Sequence, residues 1–193
     1  MQRSSETGGR PMDEALTKRI LAVTRDQLLS DGYSGLKIDR VIRAAGCGKS
    51  ALYRRYPTKA DLVVSAMLEV VDLGESPDTG SAVEDLLIHA MHNHHLQARN
   101  DNRMIALVLF DPEVFPLAWD RWLSLRHRSA QSILQRAIAR GELPDDAAID
   151  VIIDTVAGLT LYRSSAKAQP VTEQHYRGVI EALLAHPPRT TRA

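Results

Sequence analysis

Cysteine is nearly missing from this chain. Cys47 stands alone, which excludes a disulfide framework within the chain and any zinc site built on several cysteines, and fits a reducing compartment. Long apolar runs are missing too. Nowhere do about 18 uncharged apolar residues follow one another, and the opening MQRSSETGGRPMDE holds no run of signal-peptide length. Export and membrane spanning are therefore not expected, and a cytoplasmic protein is. There is no Walker loop, no G-x-S-x-G, no H-E-x-x-H, and Cys47 has no partner pattern. Neither an enzyme nor a cofactor is expected, and no β-type alternation of useful length occurs.

Net charge is also absent: 24 Lys and Arg balance 24 Asp and Glu. The balance does not hold locally. Residues 1–60 carry twelve basic against six acidic side chains, and the remaining residues carry the opposite excess. A basic end joined to an acidic remainder suggests a nucleic-acid-facing segment attached to one with another task, the alternative being random variation of surface charge. What the chain does have is 193 residues of 44% hydrophobic content, enough for a packed core without staples.

The periodicity is helical throughout, which predicts an all-α fold. Residues 1–11 are too polar to order themselves and read as a flexible arm. Leu16, Ile20, Val23, Leu28 and Leu29 make a first helix from Asp13 to Ser30, stopped by Gly32. Ile38, Val41, Ile42 and Ala45 share one face of a short helix over Ile38–Ala45 that ends at Gly46, and Lys49-Ser50-Ala51-Leu52-Tyr53 follows. Two short helices around a Gly turn outline a helix-turn-helix. Thr58 with Asp61 spells a capping box for a fourth helix after Pro57. Gly74–Gly80 is a loop. Helices are then predicted over Ser81–Ala98, Asn102–Phe110 and Pro116–Arg140, the last stopped by Gly141. Asp145–Ser165 is apolar on nearly every side and must be buried all round. A final helix opens at Thr172, with Val171 stapling onto Tyr176.

The run Gly32-Tyr33-Ser34-Gly35-Leu36-Lys37-Ile38, then Ala44-Ala45-Gly46-Cys47-Gly48-Lys49-Ser50-Ala51-Leu52-Tyr53-Arg54-Arg55-Tyr56-Pro57-Thr58-Lys59, resembles the DNA-binding signature of the tetracycline-repressor (TetR) family. The likeness covers about 50 residues, and beyond them only the family's variable ligand-binding part is resembled. Three positions depart from the usual pattern: Lys37 and Ala51 stand where Thr is common, and Cys47 where Val is common. Ala51 puts in doubt any polar contact there, and Cys47 reads as a buried spacer. The resemblance implies an arm (1–11), a helix-turn-helix domain (12–57) and a ligand-binding, dimerising domain (58–193). It also implies a homodimer released from operator DNA when a ligand tilts the fourth helix.

A recognition helix needs small residues against the groove, long polar ones for base edges, and cations for phosphate. Lys49, Ser50 and Arg54 suit the groove and its base edges; Lys37, Tyr53, Arg55 and Lys59 suit the surrounding phosphates. Outside the motif, Arg54 and Arg55 would read as an ordinary solvated face. Leu52, Ile38 and Val41 are core, and Tyr56 packs between helices. Trp119, Trp122 and Arg126 fall at i, i+3, i+7 on one helix side, and with Met91, His95, Met104 and Phe110 could wall a cavity for a hydrophobic or aromatic ligand, with Arg126 taking an acidic group. Plain packing is the competing explanation. His89, His92, His94 and His95 could ligate metal, but polar-face histidines explain them more simply, and no metal is assigned. Asp145–Ser165 and Glu173–Ala185 are the expected dimer helices. The contrasting function class is a helical binding module or small enzyme without a DNA role.

Overall fold

The structure, a computed structural model, describes residues 13–69, 76–99, 111–167, 169 and 171–190, without side chains at 93–99 and 165. The predicted arm, and the helix expected over Asn102–Phe110, lie outside the described residues. Those described form helices α1 (Glu14–Gly35), α2 (Ile38–Ala45), α3 (Lys49–Tyr53), α4 (Lys59–Leu68), α5 (Ala82–Arg99), α6 (Phe115–Ala118), α7 (Ser124–Ala139), α8 (Ile149–Leu161) and α9 (Glu173–Ala185). Five-residue π-helical stretches follow α6 (Trp119–Leu123) and α8 (Tyr162–Ala166). No strand occurs among the described residues, only an isolated antiparallel bridge between Ala147 and Arg189. No described helix is long and apolar enough to cross a membrane.

Two compact units divide after Ala66, inside α4, whereas the sequence placed the division at the start of that helix. In the first unit, Asp13 caps α1 by accepting the Leu16 amide at 3.1 Å. Gly32 breaks that helix with φ +67° and ψ −179°, a backbone that only glycine adopts without strain. Gly46 ends α2 in the left-handed region (φ +65°). There its own amide and that of Cys47 close onto the carbonyls of Arg43 and Ile42 in a Schellman turn. Ile20, Leu28, Leu36, Val41, Leu52, Leu62 and Val63 are fully buried in this unit. Arginines tie its helices together: Arg19 Nε donates to the Ala45 carbonyl (3.4 Å) and Arg25 Nη1 to that of Ala66 (3.3 Å).

In the second unit, α5 packs against α7 and α9, and α8 against α7 and α9, around a core that includes Leu86, Ile133, Leu134, Ile152, Tyr176 and Ile180. The start of α5 is fastened by acids. Asp85, wholly buried, accepts from the Thr79 amide and hydroxyl, both at 2.7 Å, and Glu142 accepts the Ala82 amide at 2.8 Å. Arg136 donates to the Pro77 carbonyl. Thr172 caps α9 through a reciprocal box with His175, and Val171 and Tyr176 share the core.

Three expectations need correction. The eighth helix begins at Ile149 rather than Asp145, because 145–148 turn instead to pair with the C-terminal segment: the Ala148 amide donates to the Pro188 carbonyl (2.7 Å) and that of Thr190 to Asp146 (2.8 Å). Nor is that helix buried all round in the single chain. Ile152, Ile153, Val156 and Thr160 are buried, but Val151 is 50% and Tyr162 58% exposed. Finally, the helix expected over Pro116–Arg140 contains a π stretch in which the Ser124 amide reaches back five residues to Trp119.

Candidate nucleic-acid interface

Leu52 fixes the orientation of α3. It is fully buried, so the opposite side of this five-residue helix must face out, and Lys49, Ser50 and Tyr53 are exposed there. Arg54, the C-cap, is exposed beside them. Lys37 is exposed at the N-cap of α2. These five of the seven proposed DNA-facing residues are thus available to a groove and its phosphates.

The remaining two are held by the fold. Arg55 is half-buried and donates through Nε to Thr17 Oγ1 (3.3 Å) and through Nη1 to the Ala51 carbonyl (2.8 Å), tying α3 to α1. Lys59, also half-buried, sets its ammonium 4.3 Å above the ring of Tyr33. Reading the sequence alone missed Thr17 and Tyr33 as the groups that place these cations; Tyr33, next to Gly32 in the quoted run, was the one visible hint. The capping box at α4 is present as spelled: the Asp61 carboxylate accepts from the Thr58 amide (3.2 Å) and Thr58 Oγ1 from the Asp61 amide (3.0 Å). Cys47 is half-exposed in the turn between α2 and α3, not the buried spacer expected.

The expected ligand wall is only partly assembled. Trp122 and Arg126 are both buried, at 4% and 7% exposure, whereas Trp119 is 42% exposed. The π stretch is the reason: spacing of i, i+3, i+7 keeps one face only while the helix holds 3.6 residues per turn, and a π turn breaks that phase. Trp119 instead sits 6.1 Å from the Phe115 ring and 6.0 Å from that of His127. Met91 is half-buried against the core. Met104, Phe110 and the side chain of His95 lie outside the described residues.

His89 was grouped by sequence with the metal-ligand candidates, but its place is beside Arg126, which donates through Nη2 to its carbonyl at 2.8 Å, while Ser129 Oγ stands 3.5 Å from its Nδ1. Among the described residues no three His, Cys, Asp or Glu are grouped to hold a metal ion. Burial drives the His89 imidazole down to about 3, with the charges of Arg126 and His92 adding to it. The unfolded chain therefore binds the extra proton between pH ~6.5 and about 3, and His89 makes stability fall as pH drops through that window. A His89→Gln chain is expected to lose less stability between pH 7 and pH 4.5 than the parent in urea titrations. Equal losses would show that His89 is not a source of the acid sensitivity.

The chain is similar to known proteins over most of its length. Residues 20–66 match the family of bacterial regulatory proteins, tetR family, and residues 76–183 the tetracyclin repressor-like, C-terminal domain. The HTH-type transcriptional regulator YdeS of Bacillus subtilis is 27% identical over 177 residues, covering 89% of each chain. The HTH-type transcriptional regulator Rv1556 of Mycobacterium tuberculosis is 29% identical over 180 residues, 90% of this chain and 87% of that one. Among solved structures, the TetR family transcription regulator SCO0332 superposes with a TM-score of 0.65 at 24% identity, covering 88% of this chain and 97% of the other.

Proposed function

From the premise that this chain belongs to the TetR family of DNA-binding transcriptional regulators, we propose that it is a homodimeric, cytoplasmic repressor without enzymatic activity, released from a palindromic operator by a small organic effector. The observation behind the DNA-contact assignment is the exposed face of α3 and its cap, Lys49, Ser50, Tyr53 and Arg54, carried on a helix whose other side is anchored by the buried Leu52. Lys37 and Lys49 neutralise phosphates, and Arg54, with five donors in a planar fork, reads a base edge. Lys59 reaches phosphate from its seat on Tyr33.

Two copies meet, in this proposal, through α8 and α9. The exposed side of α8 holds Val151, Thr155 and Gly158, continued by Tyr162 at the start of the π stretch, and that of α9 holds Gln174, Gly178, Ala182 and Ala185, stripes that leave room for close approach of a partner. A two-fold dimer reads a two-fold operator. The effector binds in the second unit, beside the buried Trp122 and Arg126, and its binding lowers operator affinity by linkage.

Selection of bound sites from random DNA tests the reading. A palindrome is expected, and sequences no more enriched than the input would overturn it. Against the selected site, Arg54→Ala is expected to lose about 1–3 kcal/mol and relax preference at one position of each half-site, whereas Lys59→Ala weakens all sequences alike and lowers the salt slope by roughly one. Band-shift titrations over a salt series separate the two. Unchanged affinity in both variants would place the groove contact elsewhere.

A further inference from the structure

The first unit holds a groove for which DNA binding by α3 has no use. It is open, about 580 Å³ in volume, and lies between α1 and α2, lined by Val23, Asp26 and Gln27 from one helix and by Arg40, Arg43 and Ala44 from the other. Each helix contributes positions i, i+3 and i+4, so the lining runs roughly 6 Å, about one turn, along either axis. Gln27 is the anomaly in it. The residue is 7% exposed, yet its Oε1 is closed off from solvent and accepts no hydrogen bond, a costly state that native folds seldom leave without a purpose. Among the described residues, Asp26 is exposed and makes no ion pair. Arg40 donates through Nη1 to Asp31 (2.6 Å) and Arg43 through Nε to the Asp39 carbonyl of its own helix (3.3 Å), and each guanidinium has further donors to give.

We propose that this groove binds a free apolar α-amino acid, its ammonium meeting Asp26 and the amide oxygen of Gln27, its carboxylate meeting Arg43 and Arg40, and its side chain resting on Val23 and Ala44. The last side-chain torsion of glutamine is soft, so Oε1 turns to the ligand at little cost. The planar fork of arginine fits the two carboxylate oxygens. A simple carboxylate would bring like charge to Asp26, and a simple amine would face two guanidinium groups, whereas a zwitterion meets both signs. One helical turn of lining matches a single residue rather than a peptide. The site belongs to the first unit and does not depend on the effector proposed for the second.

The test titrates the full chain with leucine and, in parallel, with leucinamide, which lacks the carboxylate, and isocaproate, which lacks the ammonium, using calorimetry and nuclear magnetic resonance. Leucine is expected to bind on the order of tenfold more tightly than either half-molecule and to move the side-chain amide resonance of Gln27. Asp26→Asn should bring leucine down to the affinity of isocaproate, and Arg43→Gln should bring it several-fold toward that of leucinamide. Both positions are exposed, so both variants keep the fold. Gln27→Leu, which replaces the orphaned amide with an apolar group of similar size, should lose leucine affinity as well; should it fail to fold, the two exposed variants decide. No leucine binding at millimolar concentration, leucine bound without a shift at Gln27, either half-molecule binding as well as leucine, or undiminished leucine affinity in both Asp26→Asn and Arg43→Gln would each overturn the site.

Discussion

A chain carrying Gly178→Leu is expected to fold at least as stably as the parent, yet to sediment as a monomer at micromolar concentration and bind operator on the order of 100-fold more weakly. Gly178 lies inside α9 and Gly158 inside α8, both exposed, and a Cβ built on either meets no heavy atom within 4 Å. Nothing within the described chain therefore demands glycine there. A glycine in a helix interior costs about 1 kcal/mol relative to alanine, so the single chain gains stability from a side chain at either position. A partner helix lying close against these positions would reverse the sign. Leucine would hold it off, the two-site attachment to a palindrome would be lost, and with it the gain that linking two half-site contacts provides. Gly158→Leu is expected to behave alike. Sedimentation and urea unfolding on the same samples distinguish this outcome from misfolding. A Gly178→Leu chain that remains dimeric would move the interface off this face of α9.

The largest loss of stability is expected from Asp85→Ala, about 3 kcal/mol by urea unfolding. The carboxylate is wholly buried, one oxygen takes both the amide and hydroxyl of Thr79, and the other stands 4.0 Å from Arg140. Alanine would leave two donors at the mouth of α5 without their acceptor and remove one of the acids facing Arg140, whose other neighbours are Glu142 at 2.5 Å and Asp78 at 3.6 Å. Asp85→Asn keeps an acceptor for Thr79 and should lose clearly less. A loss below about 1 kcal/mol for the alanine variant would mean that water replaces the carboxylate without penalty.

These acids also mark the limit of what a sequence conveys. The helix-turn-helix was legible because its information is local: Gly46 needs a positive φ, Thr58 and Asp61 cap within one turn, and Leu52 repeats the apolar face of Val41. The seats of Arg55 and Lys59 were not, since Thr17 and Tyr33 lie 38 and 26 residues away and no periodicity links them. The grouping of Trp119 with Trp122 failed for a different reason. Helical spacing assumes an unbroken phase, and nothing in Trp119–Leu123 announces a π turn. The early start given to α8 followed from its apolar composition, whereas the pairing of 146–148 with 188–190 is a long-range backbone event that composition cannot encode.

The half-exposed thiol of Cys47, alone in the sequence and placed in the turn before α3, makes each chain addressable at one atom. A nitroxide or fluorophore attached there needs no engineered background. In an assembly of two copies the pair of labels becomes a ruler across the operator, and their separation, with and without a candidate effector, reports the spacing of the two reading heads directly.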